Sequence, residues 1–559
     1  MKKNRLLLIA FLLVMTGINT NAQDFSNLKG KKPFSVNGSL STTADFYSIS
    51  GKTSTRDPFN YLLSGNVTVT VYDFSMPFSF MYSGQNASYA QPFNRIGFSP
   101  QYKWIKAHLG YRSLNFSSYT LAGHSFLGAG IELTPGKFRL AGVYGRFKQK
   151  TIPNTANPID TLYAPTRKGY SVKIGYGSAK NYFDLIFLKI EDDSLSVKLP
   201  NGKKLKDLQA NTVLGTHFRY NLGKSIVWET EGAVSLLTKN MAEKQAPETD
   251  IPILKNLIKT FNLNASTEYS TAWNSSLMYT AKLYSIGVQY RRVAPNFQSF
   301  GAYYFNTDIE NTTINGKISA FKRKINLSGN IGIQRDNLKE NKASKSARII
   351  SMATMNYNSG KIFSFNGSFS NYSINQQAGR VPLNDTIKLY QTNRSINLMP
   401  MLTFSRSKTQ HVIQLNTMFT NLIDHNRFTA SNNEVSSKVA ALNYMLNLIP
   451  TGTSLMFGFN YMTLSSASMN QTLYGLSTDV GKSFLNGKLN SNISVSANRS
   501  EYEGVPGWTN TGLLQINYRI SKKHSFRFSF SGIMNNYSDN TLTKDFNEYK
   551  TLFSYVYKI

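Results

Sequence analysis

The residues with most chemical content lie close together. Tyr290-Arg291-Arg292-Val293-Ala294-Pro295 is followed by Phe300-Gly301-Ala302-Tyr303-Tyr304-Phe305-Asn306-Thr307-Asp308-Ile309-Glu310, the densest mixture of aromatics and opposite charges in the chain. Arg291, Arg292, Asp308 and Glu310 could line a pore and bind or filter a charged solute. The same residues could equally lie at a strand end beside a loop. Arg519, Arg527 and Lys173 sit among alternating apolar residues, where inward-facing cations would concentrate anions. Covalent chemistry finds little support. The six histidines, His108, His124, His217, His411, His425 and His524, form no HxxxH or HExxH pair. No GxSxG elbow, phosphate-binding glycine loop or dinucleotide fingerprint occurs, and Cys 0 excludes a thiol nucleophile and thiolate metal sites. His108 and His124 stand near many serines, a compositional proximity only. The chain reads as a non-enzyme with no catalytic residue, cofactor or metal site.

The elements that must position these residues follow from composition and periodicity. The 559 residues are 13% aromatic, with Tyr 32 and Phe 36, but only 16% charged, and carry a formal net charge of +32. A soluble chain has about 25% charged residues. Polarity comes instead from uncharged Ser, Thr, Asn and Gln. The aromatic content argues against disorder, and the lack of repeated long apolar runs excludes a helical membrane bundle.

From Phe34 to Ile559 the dominant signal is alternation. Leu514, Ile516, Tyr518 and Ile520 alternate with Gln515, Asn517 and Arg519; Phe526, Phe528 and Phe530 alternate with Arg527, Ser529 and Ser531. Val67, Val69 and Val71 oppose Thr68 and Thr70, and Ile493 and Val495 oppose Ser494 and Ser496. Alternation places each set on its own face of a strand. Turn signals recur, short ones such as Thr134-Pro135-Gly136-Lys137, Asn221-Leu222-Gly223-Lys224 and Asn486-Gly487-Lys488. Longer polar stretches, including 149–168, 193–209, 375–389 and 425–435, lie between them.

An apolar aromatic face opposite an Asn/Ser/Thr face suits lipid on one side and a wet lumen on the other; a soluble sandwich would need its apolar faces packed together. The expected fold is all-β, a single transmembrane antiparallel up-and-down β-barrel over 34–559. It should have about 24–28 strands, short periplasmic turns and longer external loops. Charges within the membrane should then point inward, because lipid-facing charges cost about 2–4 kcal/mol at the midplane. One strand boundary is ambiguous, since Leu277 to Val293 could be one long strand or two. The connection 238–264 is the one place with helical spacing: Ile253, Leu254, Leu257, Ile258 and Phe261, with Asp250 as N-cap. A short amphipathic helix there could plug the lumen or pack on its own loop.

The N-terminus carries Lys2, Lys3 and Arg5, an apolar run from Leu6 to Met15 too short to span a bilayer, and small residues before a cleavage point between Ala22 and Gln23. Residues 1–22 read as a secretory signal peptide and 23–33 as a short extension. Removing residues 1–22 leaves a mature charge of +29.

The chain ends in a strand with Phe553, Tyr555, Tyr557 and Ile559 on one face, similar to the C-terminal insertion signal of outer-membrane barrels but ending on Ile559. With the cleavage region and the Tyr/Asn/Ser-rich, cysteine-free strands, it resembles large outer-membrane β-barrel proteins of the Bacteroidetes type. The resemblance implies integral outer-membrane residence after export, insertion by barrel-assembly machinery, and contact with outer-membrane lipids, lipopolysaccharide and other outer-membrane proteins. It implies no nucleic-acid partner. The expected function is a porin-like channel or passive conduit with a cationic lumen. The alternative is a structural or accessory subunit of a secretion or assembly complex.

Overall fold

The computed structural model describes residues 33–559 except 55, 85–93, 153–162, 198–204, 206, 245–262, 304, 343, 379–387 and 539–544. Residues 1–32 and the helical spacing of 250–261 therefore lie outside the described residues.

Alternation becomes strand after strand. The first, β1 (Phe34–Ser50), pairs antiparallel with β2 (Phe59–Val71), which pairs with β3 (Phe74–Ser83). Next come two short pieces, β4 (Arg95–Phe98) and β5 (Gln101–Tyr102). Both pair with β3 on one side and with β6 (Ile105–Asn115) on the other, so they are one strand interrupted at Ser99-Pro100. Proline lacks the N–H a ladder requires, which accounts for the break. From β6 onward each strand pairs with the next in sequence, through β7 (Ala122–Leu133), β8 (Phe138–Lys148), β9 (Thr166–Gly177) and β10 (Tyr182–Asp193). The series runs on to β27 (Phe546–Lys558).

The circle closes where β27 pairs with β1, from Ser39↔Lys558 to Ser50↔Asn547. The chain is thus a closed antiparallel barrel of 26 strands. Helix among the described residues amounts to the single turn Ala430–Asn433. Closure leaves no edge strand unpaired, the condition for a sheet to stand in lipid.

The ambiguous region resolves into two strands, β13 (Thr267–Thr280) and β14 (Tyr284–Val293), joined at Ala281-Lys282-Leu283. On the outer face, apolar side chains stand exposed along successive strands, such as Val172, Ile174, Leu185, Leu214, Val234, Leu277, Ile286 and Val288. The closing seam is aromatic: Phe553 packs 6.2 Å from Phe46 and 5.0 Å from Phe528, and Phe46 lies 5.0 Å from Phe59. Tyr555 and Tyr557 share this face, the Tyr555 hydroxyl 2.6 Å from His524 Nδ1, while the Ile559 N–H donates to the Gly38 carbonyl.

Candidate functional site

A lumen enclosed by so many strands is too wide for wall side chains to fill. Along one arc it is filled by loops. After β6 the chain folds inward as Phe116–Leu121, closed by the Phe116 N–H on the Leu121 carbonyl and by a 2.7 Å bond between Ser117 and Thr120. Between β14 and β15 (Ile309–Ala320) the segment 294–307 folds in beside it. Backbone and side chains lock the two together: Ala122 N–H donates to the Gly301 carbonyl at 2.9 Å, and Ser299 Oγ to the Thr120 carbonyl at 2.6 Å. A Cβ on Gly301 would lie 2.5 Å from Leu188 Cδ1 and 2.6 Å from the Thr120 oxygen, so only glycine permits this approach.

Asn211 is the anchor to the wall. It lies on β11 (Ala210–Leu222), fully buried; its Nδ2 donates to Ser235 Oγ at 2.8 Å and to the Gln298 carbonyl at 3.4 Å, and its Oδ1 accepts the Phe300 N–H at 3.0 Å. Around these bonds sits an apolar core. Ile186, Leu188 and Ile190 of β10, Val213 of β11 and Val293 of β14 turn inward beneath Leu121, Phe297 and Phe300, all buried. Tyr119 meets Phe297 edge-on at 5.9 Å and stacks on Phe305 at 6.2 Å. Burial raises the Tyr119 phenol above its ordinary pKa, so it faces the Arg291 guanidinium protonated.

Against this core a cavity of about 430 Å³ opens between the loop and the wall, lined by His124, Phe147, Lys148, Arg167, Phe300 and Tyr303 among others. Arg167 lies 3.5 Å over the Phe300 ring while donating to Asp192 at 2.8 Å, and His124 stacks on Tyr303 at 4.3 Å. The cavity adjoins the strand ends that lead into the longer loops.

Toward the short-turn end the same arc carries charge, mostly paired. Arg139 grips the buried Asp184 with two bonds of 2.7 and 2.9 Å; Arg219 holds Glu229 at 2.8 Å; Lys106 lies 3.8 Å from Glu132. Elsewhere on the inner wall Lys550 pairs with Asp45 at 3.1 Å. Lys173 lies 5.0 Å over the Phe116 ring.

The charged residues singled out from sequence have separate fates. Arg291 points inward, against Tyr119. Arg292 and Glu310 stand on the outer face instead of in the lumen. They sit in one cross-strand row, Trp273↔Arg292↔Glu310↔Arg335, and Glu310 accepts from Tyr290 and from Arg335 at 2.5 Å each. Two things make this tolerable: Arg292, Glu310 and Arg335 lie at the long-loop ends of their strands, where a charge facing lipid would cost only about 0–1 kcal/mol, and Glu310 offsets one of the two arginines. Asp308 is not lumenal either. Buried, with φ 59°, it pairs with Lys342 at 2.5 Å and accepts the Leu338 N–H at 2.9 Å, tying two loops together. Arg519 and Arg527 lie together beside a concavity of about 490 Å³ at the short-turn end, with Arg527 Nε donating to Asn517 Oδ1 at 2.8 Å.

His108 does find a serine. Ser99 Oγ lies 3.0 Å from its Nδ1 and Glu132 Oε1 2.8 Å from its Nε2. The serine and histidine are both buried, 7% and 5% exposed, so no substrate carbonyl reaches the hydroxyl. The trio clamps the break between β4 and β5.

Sequence reading passed over the apolar lumenal core, although β10 carries its trace. Leu185-Ile186-Phe187-Leu188 is apolar on both faces, the mark of a strand covered on both sides.

No protein-family model and no curated protein matches the sequence. Among solved structures, the FrpB iron transporter from Neisseria meningitidis is 12% identical, covering 97% of this chain and 83% of that one, with a TM-score of 0.39. OccAB4 of Acinetobacter baumannii is 10% identical over 68% of this chain and 99% of its own, TM-score 0.31. The translocation pore of the P pilus usher PapC is 11% identical over 94% and 99%, TM-score 0.33. The function is therefore drawn from this chain's own geometry.

Proposed function

We propose that the protein is an integral outer-membrane barrel acting as a passive, porin-like conduit, with solute moving along the arc of the lumen that its inward loops leave uncovered. One observation carries this reading. From β17 (Ser344–Asn358) to β27 the inward positions mix Asn, Ser, Thr and Gly with methionines such as Met352, Met418, Met445 and Met456, and the most polar run is Asn490, Asn492, Ser494 and Ser496 of β24 (Leu489–Tyr502). Among the described residues no loop core like that of the other arc covers them. A wide barrel with one wet, uncovered wall has the form of a solute path.

Charge selectivity follows from which cations lack a carboxylate partner. Most inward cations of the loop-filled arc are paired, so anion preference rests on Arg519 and Arg527 at the short-turn end and on Arg348, which lies over the Tyr372 ring, with Lys173 across the lumen. Lipopolysaccharide or anionic headgroups suit the outward Arg292 and Arg335. Insertion by the assembly machinery suits the aromatic face of β27.

Planar-bilayer recording of the purified barrel tests the reading. Stepwise currents with mild anion preference are expected. A barrel that inserts yet passes no current, and that co-purifies with stable partner proteins, would overturn it in favour of an accessory subunit of an assembly complex.

A further inference from the structure

On the inner wall, the hairpin of β11 and β12 (Ile226–Thr238) brings three metal-ligating groups to one point. His217 and Glu231 are direct register partners, and Glu229 follows one inward position along. His217 Nε2 lies 3.0 Å from Glu229 Oε1 and 3.6 Å from Glu231 Oε1, and the three ligand atoms all fall within 4.8 Å of one another. The Tyr182 hydroxyl approaches the same nitrogen at 3.1 Å.

Two features separate this trio from an ordinary ion pair. First, the nitrogen is oversubscribed: one imidazole N–H cannot donate well to two carboxylates and a phenol. A cation at their centre would satisfy all of them. Second, the outer oxygens are already held. Glu229 Oε2 accepts from Arg219 at 2.8 Å and Glu231 Oε2 accepts the Ser118 N–H at 2.7 Å. That leaves both Oε1 atoms turned toward His217, the arrangement in which outer partners orient metal ligands. The spacings suit metal bonds of about 2.0–2.1 Å, whose ligand-to-ligand edges in a tetrahedron are about 3.3 Å.

We propose that His217, Glu229 and Glu231 form a lumenal site for a divalent transition ion of the zinc class, completed by water or the Tyr182 hydroxyl. One imidazole nitrogen with two carboxylates favours such an ion over calcium or magnesium, which prefer all-oxygen shells. The site also reaches the inward loop. Glu231 holds Ser118 within Phe116–Leu121, so an ion drawing Glu231 toward His217 sets the position of that loop's backbone. None of this depends on whether the barrel conducts.

Tag-free full-length protein, stripped with chelator and titrated in detergent with Co²⁺ and then Zn²⁺, provides the test. One Co²⁺ per chain is expected, with visible absorption that Zn²⁺ displaces. His217→Gln and Glu231→Gln should each weaken binding about 10-fold or more. Arg519→Ser, on a strand remote in the sheet from the three ligands, should keep both stoichiometry and affinity. Heat-modifiable gel migration confirms that each variant is folded, and Glu229→Gln replaces any that is not. Absence of stoichiometric Co²⁺ binding by the parent protein, or binding that survives in the ligand variants, overturns the proposal.

Discussion

The strands β10 and β24 stand in the same wall but face different interiors. Inward on β10 are Ile186, Leu188 and Ile190, each at most 3% exposed, beneath a folded-in loop. Inward on β24 are Asn490, Asn492, Ser494 and Ser496, opposite the exposed Ile493 and Val495. Both strands present exposed apolar residues on the outer face; they differ only in what the lumen side must meet. Where loops enter, the inner face becomes a packed core like that of a soluble protein. Where no described loop does, polar residues share the inner face with methionines such as Met445 and Met456. Among the described residues, the large aromatic lumenal core thus lies on one arc.

The sharpest way to break this asymmetry is to evict the loop. Gly301→Leu drives a side chain into Leu188 and the Thr120 carbonyl, a clash of about 3 kcal/mol or more. Proteolytic cleavage within 294–307 should appear in the folded, membrane-inserted protein; continued protection would show that the loop is not held as described.

Removing the anchor should cost somewhat less. Asn211→Ala strands the Phe300 N–H, at about 1–3 kcal/mol for one buried donor, while the Gln298 carbonyl keeps the Ser235 hydroxyl. Ser494→Ala on the bare arc should fall within about 0.5 kcal/mol. Urea titrations of the two variants read the contrast directly, and equal losses would dissolve the distinction between the arcs.

The smallest effect belongs to charge. Arg519→Ser combined with Arg527→Ser should move the reversal potential in a salt gradient by a few millivolts toward cations without altering conductance greatly. An unmoved potential would place the permeation path away from these two residues.

Much of the wall was legible because alternation and turn chemistry are local. Asn486-Gly487 marks a turn whose backbone adopts φ 53° and 78°, as Asn and Gly allow. The Ala281-Lys282-Leu283 turn carries no such residue, which is why Leu277 to Val293 could not be divided from sequence. The lumen was harder. The segment from Tyr290 to Glu310 does enter it, but chiefly through Phe297, Phe300 and Phe305, with Arg291 alone of its four singled-out charges turned inward, because its aromatics gain most from leaving water. Arg292 and Glu310 lie outward since parity along β14 and β15, once fixed by Val288 and Ile314 on the exposed outer face, leaves them no choice. His217, Glu229 and Glu231 match no local motif. Their meeting depends on hairpin register, which is set only once the turn at Gly223, φ 64°, is placed.

Single-channel conductance decides the central claim. Segment 295–306 is replaced by a short Gly-Ser linker in one variant, and segment 426–433, a loop of the bare arc, in another. The parent should give stepwise currents, the first variant about a two-fold or larger increase, and the second the parental value. Equal conductance in all three, or no current from any correctly inserted barrel, would contradict the division of the lumen into a filled arc and an open one.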